Sequence, residues 1–112
     1  MRLLIALNEN KGLNSKLSEH FGHCGYFAIF NTQTKKFEIV ENKIEHANET
    51  LTPVDQVMKF NPDVVFSLGI GQRAIKLFEE KTIKLKTGKF IILKEVIDNI
   101  DNLQELNSGC LH

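Results

Sequence analysis

The sequence is short of cysteine, with two in 112 residues, at positions 24 and 110. Two thiols that far apart do not make the disulfide framework that staples small secreted domains. An excess of charge is also missing. Fourteen basic and fourteen acidic side chains give a formal net charge of +0, whereas nucleic-acid binders carry a basic surplus that neutralises phosphates. The lysine-rich stretch Lys76 to Lys89 is broken by Glu79 and Glu80 and reads as a solvated helix face followed by an edge strand. Long hydrophobic runs are absent too. Residues 1–7 begin like a secretion signal, but the apolar stretch ends at Asn8-Glu9-Asn10-Lys11 without a small-residue cleavage site. No run approaches the ~20 apolar residues of a membrane span. There is no internal repeat, low-complexity segment or linker. These absences predict a cytoplasmic protein with reduced thiols, no nucleic-acid partner and no membrane association.

What is present suits a small globular core. Hydrophobic residues make up 42% and charged residues 25% of the chain, near the globular average. A chain of this length predicts one domain over residues 1–112, burying somewhat over ~60% of its unfolded surface. No metal is then needed merely to fold, so a metal site would point to function.

Residues 3–7 form a continuous apolar run, the pattern of a strand buried on both faces. A polar stretch, Asn8 to Glu19, predicts a long loop. Residues 26–30 and 37–40 read as strands joined through Asn31-Thr32-Gln33-Thr34-Lys35, an antiparallel hairpin. Thr52, Pro53 and Asp55 mark a helix start, as cap, first position and capping-box acid, and Asn61-Pro62 ends that helix. Val64-Val65-Phe66 is another buried strand. Gly69-Ile70-Gly71 turns into a second helix with Ala74, Leu77 and Phe78 inward. Ile83 and Leu85 alternate with Lys84 and Lys86, an edge strand. Leu93, Val96, Ile97, Ile100 and Leu103 predict a final helix. The expected architecture is α/β, a mixed sheet of about five strands covered by helices.

The densest group of metal-capable side chains is Ser18-Glu19-His20-Phe21-Gly22-His23-Cys24-Gly25. Imidazole nitrogen and thiolate sulfur suit zinc, iron and iron–sulfur species. Gly22 lets the backbone fold tightly and a bulky ligand approach it. A single histidine here would be better explained by backbone hydrogen bonding, and a lone cysteine by burial. His20, His23 and Cys24 together favour a ligand site. Cys110 and His112 in the tail are further candidate ligands, although chain ends also fray. Gly69 and Gly71 open a helix, where free N–H groups favour an anion; the spacing is neither a P-loop nor a full dinucleotide fingerprint. If the strands ending at residues 7 and 66 are parallel, the histidine loop and the glycine turn share one rim. A Cys24–His nucleophilic pair and a regulatory anion- or partner-binding role remain as alternatives. No serine lies in a Gly-x-Ser-x-Gly elbow, and no triad can be singled out.

His20-Phe21-Gly22 followed by Tyr26-Phe27-Ala28-Ile29, with Asn61-Pro62-Asp63-Val64-Val65 and Gly69-Ile70-Gly71-Gln72-Arg73-Ala74, resembles the dinitrogenase iron–molybdenum cofactor biosynthesis family. That family includes NifX-like and NafY-like proteins and the C-terminal part of NifB. The resemblance continues into Lys81-Thr82-Ile83-Lys84-Leu85 and the final helix, so it covers nearly the whole chain. It implies a ribonuclease-H-like fold of three layers, with helices on both faces of the sheet. It also implies a non-catalytic carrier of iron–sulfur or iron–molybdenum cofactor precursors, with His20 as a cluster ligand. After His-Phe-Gly the family commonly has Arg-Ala-Pro, and this chain has His23-Cys24-Gly25. The added donors favour a simpler iron–sulfur cluster or a transition metal ion as cargo. Expected partners are metallocluster donor or acceptor proteins, with the chain itself a monomer or weak homo-oligomer.

Overall fold

The computed structural model describes residues 1–106. Six strands form one mixed sheet in the order β3-β2-β1-β4-β5-β6. They are β1 (Arg2–Leu7), β2 (Tyr26–Asn31), β3 (Lys36–Glu41), β4 (Val64–Phe66), β5 (Lys84–Thr87) and β6 (Gln104–Glu105). Three α-helices are described, α1 (Pro53–Val57), α2 (Gln72–Glu80) and α3 (Leu93–Asp98). β1 pairs antiparallel with β2 and parallel with β4, which pairs parallel with β5.

β1 shows why the middle of the sheet is apolar on both sides. Leu4 and Ala6 face one core with Val54, Val57, Ile75 and Phe78 from α1 and α2. Leu3, Ile5 and Leu7 face the other core with Leu93 and Val96 from α3. The two-residue period of a strand makes this division, and burying each of the Leu, Ile, Val and Phe side chains contributes ~1.5–3 kcal/mol. Helices therefore cover both faces, as expected.

Local signals position the elements. Asn31 Oδ1 accepts the N–H groups of Gln33 and Thr34 at 2.8 and 3.2 Å, an Asx turn that closes the β2–β3 hairpin. Thr52 and Asp55 form the predicted capping box. Asn61 takes a left-handed φ of 52°, which asparagine tolerates, and Pro62 bars continuation.

The sheet departs from the sequence expectation at its far edge. The described residues form six strands rather than about five, because β6 adds to β5 through Lys86↔Glu105 and Thr87↔Gln104. The final helix is shorter than its apolar stripe suggests. It stops at Asp98, and residues Ile100–Asn102 make a 3-10 turn. The Asn99 side chain donates to Glu95 O at 2.8 Å, so the amide competes with continuation of the helix. On α2, Ile75 and Phe78 are the fully buried pair, while Ala74 and Leu77 are partly buried. No helix among the described residues is long and apolar enough to cross a membrane.

Candidate functional site

Because β1 and β4 run parallel, the loops that follow them leave the same end of the sheet. Two buried serines then fix those loops. Ser18 N–H donates to Ala6 O at 2.9 Å, and the Ser18 hydroxyl accepts the His20 N–H at 3.1 Å and donates to His20 O at 3.2 Å. Ser67 Oγ donates to Gly69 O at 2.7 Å. The loops then join, with Phe21 N–H donating to Gly69 O at 3.3 Å. Their approach requires glycine. A Cβ on Gly69 would lie 2.3 Å from Glu19 O.

Phe21 divides the histidine segment into an inward and an outward side. It is 3% exposed and packs on Phe27 and Phe78 with ring centroids 5.4 and 5.5 Å apart. The 3-10 turn Phe21–His23 that follows His20 leaves both imidazoles exposed. His20 and His23 line a cleft of about 410 Å³ with Gly22, Gly69, Ile70 and Gly71, and with Pro53 and Val54 at the start of α1. A second hollow of about 460 Å³ adjoins it, shares His46, Pro53, Val54, Gly71 and Ala74, and includes Arg73. The histidine loop and the glycine turn thus meet on one rim.

The start of α2 is the part of the rim suited to an anion, whereas Glu19 brings a carboxylate to the same cleft and Glu49 one to the adjoining hollow. Gly71 caps α2 without a side-chain hydrogen bond, and no acid sits in the first turn. The first-turn N–H groups and the positive end of the helix dipole face the same end. A Cβ on Gly71 would meet nothing within 4 Å, so the approach is open.

Cys24 is not among the cleft-lining residues. It is 4% exposed within the core of the α1/α2 face. Its Sγ donates to Phe21 O at 3.1 Å and lies 3.7 Å from Asn42 Nδ2. Burial pushes the thiol up from 9.0 to about 11, against weaker opposing hydrogen bonds. Without a metal such a thiol is protonated at neutral pH, and the thiolate is the form that attacks as a nucleophile. Among the described residues, no group of three or more His, Cys, Asp or Glu side chains is arranged to hold a metal ion. Cys110 and His112, the expected tail ligands, lie outside the described residues.

One imidazole of the rim has no local sequence signal. His46 stacks on His23 with ring centroids 4.3 Å apart and planes 9° from parallel. Its Nε2 lies 2.8 Å from Gly22 O. It sits in an irregular loop 24 positions from Gly22, without periodicity and with no second His or Cys nearby to mark it. The buried serines were equally silent, since their partners are backbone atoms of distant segments.

Several solved structures share this fold, three of them as follows. PH0822, seen in a crystal structure, is 28% identical, with 96% of this chain and 98% of that chain covered and a TM-score of 0.74. A candidate NifB protein from Thermotoga, solved by NMR, is 25% identical, with 96% and 94% covered and a TM-score of 0.79. The apo form of the orange protein from Desulfovibrio gigas is 17% identical, with 94% and 92% covered and a TM-score of 0.76, a likeness of fold alone. No curated protein matches the chain. The family model described as "Dinitrogenase iron-molybdenum cofactor" matches residues 1–105. With the His-Phe-Gly turn and the glycine turn both inside that match, the chain belongs to the dinitrogenase iron–molybdenum cofactor family.

Proposed function

We propose that this protein is a non-catalytic carrier that holds an iron–sulfur or iron–molybdenum-type cluster precursor, or a metal ion, in the cleft between its histidine loop and its glycine turn. The carrying observation is the shared lining of that cleft by His20, His23, Gly22, Gly69 and Gly71. Imidazoles supply nitrogen donors to iron-type metals. The open start of α2 complements the negative charge of a sulfide-bearing cluster. An exposed site with few protein ligands suits cargo that must be passed on to acceptor proteins, here in the reducing cytoplasm. The family description names the same class of cofactor. The ribonuclease-H-like architecture belongs to this reading, and a β1–β2–β3 meander followed by parallel β4 and β5 supports it. A single domain over residues 1–112 is part of the same proposal.

Cys24 enters the reading as a core residue rather than a ligand. Its raised thiol pKa also speaks against the rival reading, a thiol oxidoreductase or hydrolase, which needs an accessible thiolate.

The test is purification without oxygen, then reconstitution with iron and sulfide, followed by elemental analysis and a visible spectrum. The parent protein should take up metal with charge-transfer absorption, and a His20→Ala/His23→Ala variant should lose most of it. A parent protein that stays colourless and metal-free would sink the proposal.

A further inference from the structure

We propose that His46 is a cargo-binding residue of the same cleft, offering the lone pair of its Nδ1 to a transition-metal centre beside His23. The inference rests on the carrier reading above and adds a donor to it.

The first argument is chemical. His46 Nε2 lies 2.8 Å from Gly22 O, and a carbonyl only accepts. In the neutral ring Nε2 therefore carries the proton, and Nδ1 is the lone-pair nitrogen. A ring N–H spent on a backbone carbonyl is the arrangement that fixes the tautomer of metal-ligating histidines. The second argument is position. Of the five residues shared by the two adjoining hollows, His46 alone has a side-chain lone pair, the others being Pro53, Val54, Gly71 and Ala74.

The third argument is that this exposed ring is held in place. Gln56 of α1 grips the preceding residue from both sides, accepting the Glu45 N–H at 2.8 Å and donating to Glu45 O at 2.9 Å. Asn42 anchors the other end, donating to Cys24 O at 2.7 Å and accepting the Ile44 N–H at 2.9 Å. A Cβ on Gly22 would lie 3.3 Å from His46 Cε1, so glycine at 22 leaves the space that the ring needs. Such clamping restricts rotamer freedom at an exposed side chain, which costs free energy. A donor held ready for cargo accounts for that cost.

Imidazole nitrogen suits late first-row metals, whether free ions or metal atoms at the face of a cluster. The lone pairs of two stacked rings run parallel, so His46 and His23 would meet neighbouring metal atoms or require one ring to turn. Two arms of one experiment separate these sources. The first adds zinc(II) alone to 15N-labelled protein and follows the imidazole nitrogens by NMR. The second uses iron and sulfide reconstitution. Both arms compare the parent with His46→Phe, which keeps a ring for stacking on His23 but has no donor, and with His46→Ala.

We expect both variants to bind at least about tenfold more weakly than the parent in one arm or both. In the zinc arm the His46 Nδ1 resonance should shift while Nε2–H is retained. The arm that shows the loss identifies the source. If His46→Phe binds like the parent in both arms, His46 merely stacks and the inference is overturned, while the carrier reading stands. If the parent binds in neither arm, both fall together.

Discussion

The two faces of the sheet are covered by helices whose starts are treated differently. On the α3 face the helix start is closed by its own neighbourhood. Glu95 Oε1 accepts the N–H groups of Ile91 and Ile92 at 3.1 and 3.2 Å, and the Leu93 N–H reaches Ser15 O at 2.9 Å. On the other face, α1 is closed by its Thr52–Asp55 box, whereas α2 begins at Gly71 with no side-chain cap. The apolar cores beneath are alike in kind. The difference lies in a helix start without a side-chain cap, left open beside the exposed imidazoles. Unmet N–H groups cost stability unless water or a ligand meets them. That contrast supports the proposed binding face without reference to any metal.

The comparison can be broken from the core outward. Phe78→Ala should cost ~3–5 kcal/mol and Leu93→Ala ~2–5 kcal/mol by urea unfolding, since both side chains are fully buried. Only Phe78→Ala should also speed amide exchange in residues 20–25, because Phe21 packs on that ring. Equal exchange in the two variants would erase the distinction between the faces.

The Cys24 thiol gives the next effect. Below pH 9 the thiol is neutral in both folded and unfolded chains. Between pH 9.0 and about 11 the unfolded thiol ionises while the folded one stays protonated. Stability should therefore fall across that window, by up to about 2 kcal/mol. In a Cys110→Ser background, the alkylation rate of the native protein should rise with a midpoint near 11 rather than 9.

Gly69→Ala sharpens the comparison at the rim. The new methyl meets the Glu19 carbonyl, a backbone atom that cannot step aside cheaply, so a loss of ~1–3 kcal/mol is expected. Its NMR shifts should concentrate in residues 18–23. The smallest effect belongs to the closed start of α1, where Thr52→Ala should cost ~1 kcal/mol. Asp55 beside it is held at about 2, chiefly by Lys81 and then by Thr52. Its contribution is present above pH 3.8 and is lost as pH falls through about 2, a slope that acid titration of the Lys81→Met variant should flatten.

Local patterns made much of this molecule legible. The doubly buried run at 3–7, the 26–40 hairpin and the Thr52-Pro53-Asp55 start each encode their element within a few residues. The shared rim was legible only on the condition that β1 and β4 run parallel, and their pairing meets that condition. What stayed hidden depends on contacts distant in sequence. β6 is two polar residues, Gln104 and Glu105, ordered by pairing with β5. The direction of Cys24 is set by Phe21 turning inward and by Asn42, 18 positions away. His46 reaches the rim only because Asn42 and Gln56 pin its loop. Residue type marked His20 and His23 as donors; it could not separate an exposed imidazole from a buried thiol one position along.

The most direct test of the two-faced account is an NMR map of the 15N-labelled protein as iron–sulfur cluster is reconstituted on it without oxygen. The account predicts paramagnetic broadening centred on residues 20–23, 46 and 69–74, with α3 and Ile100–Asn102 unaffected. Broadening centred on α3, or spread evenly over both faces, would contradict it.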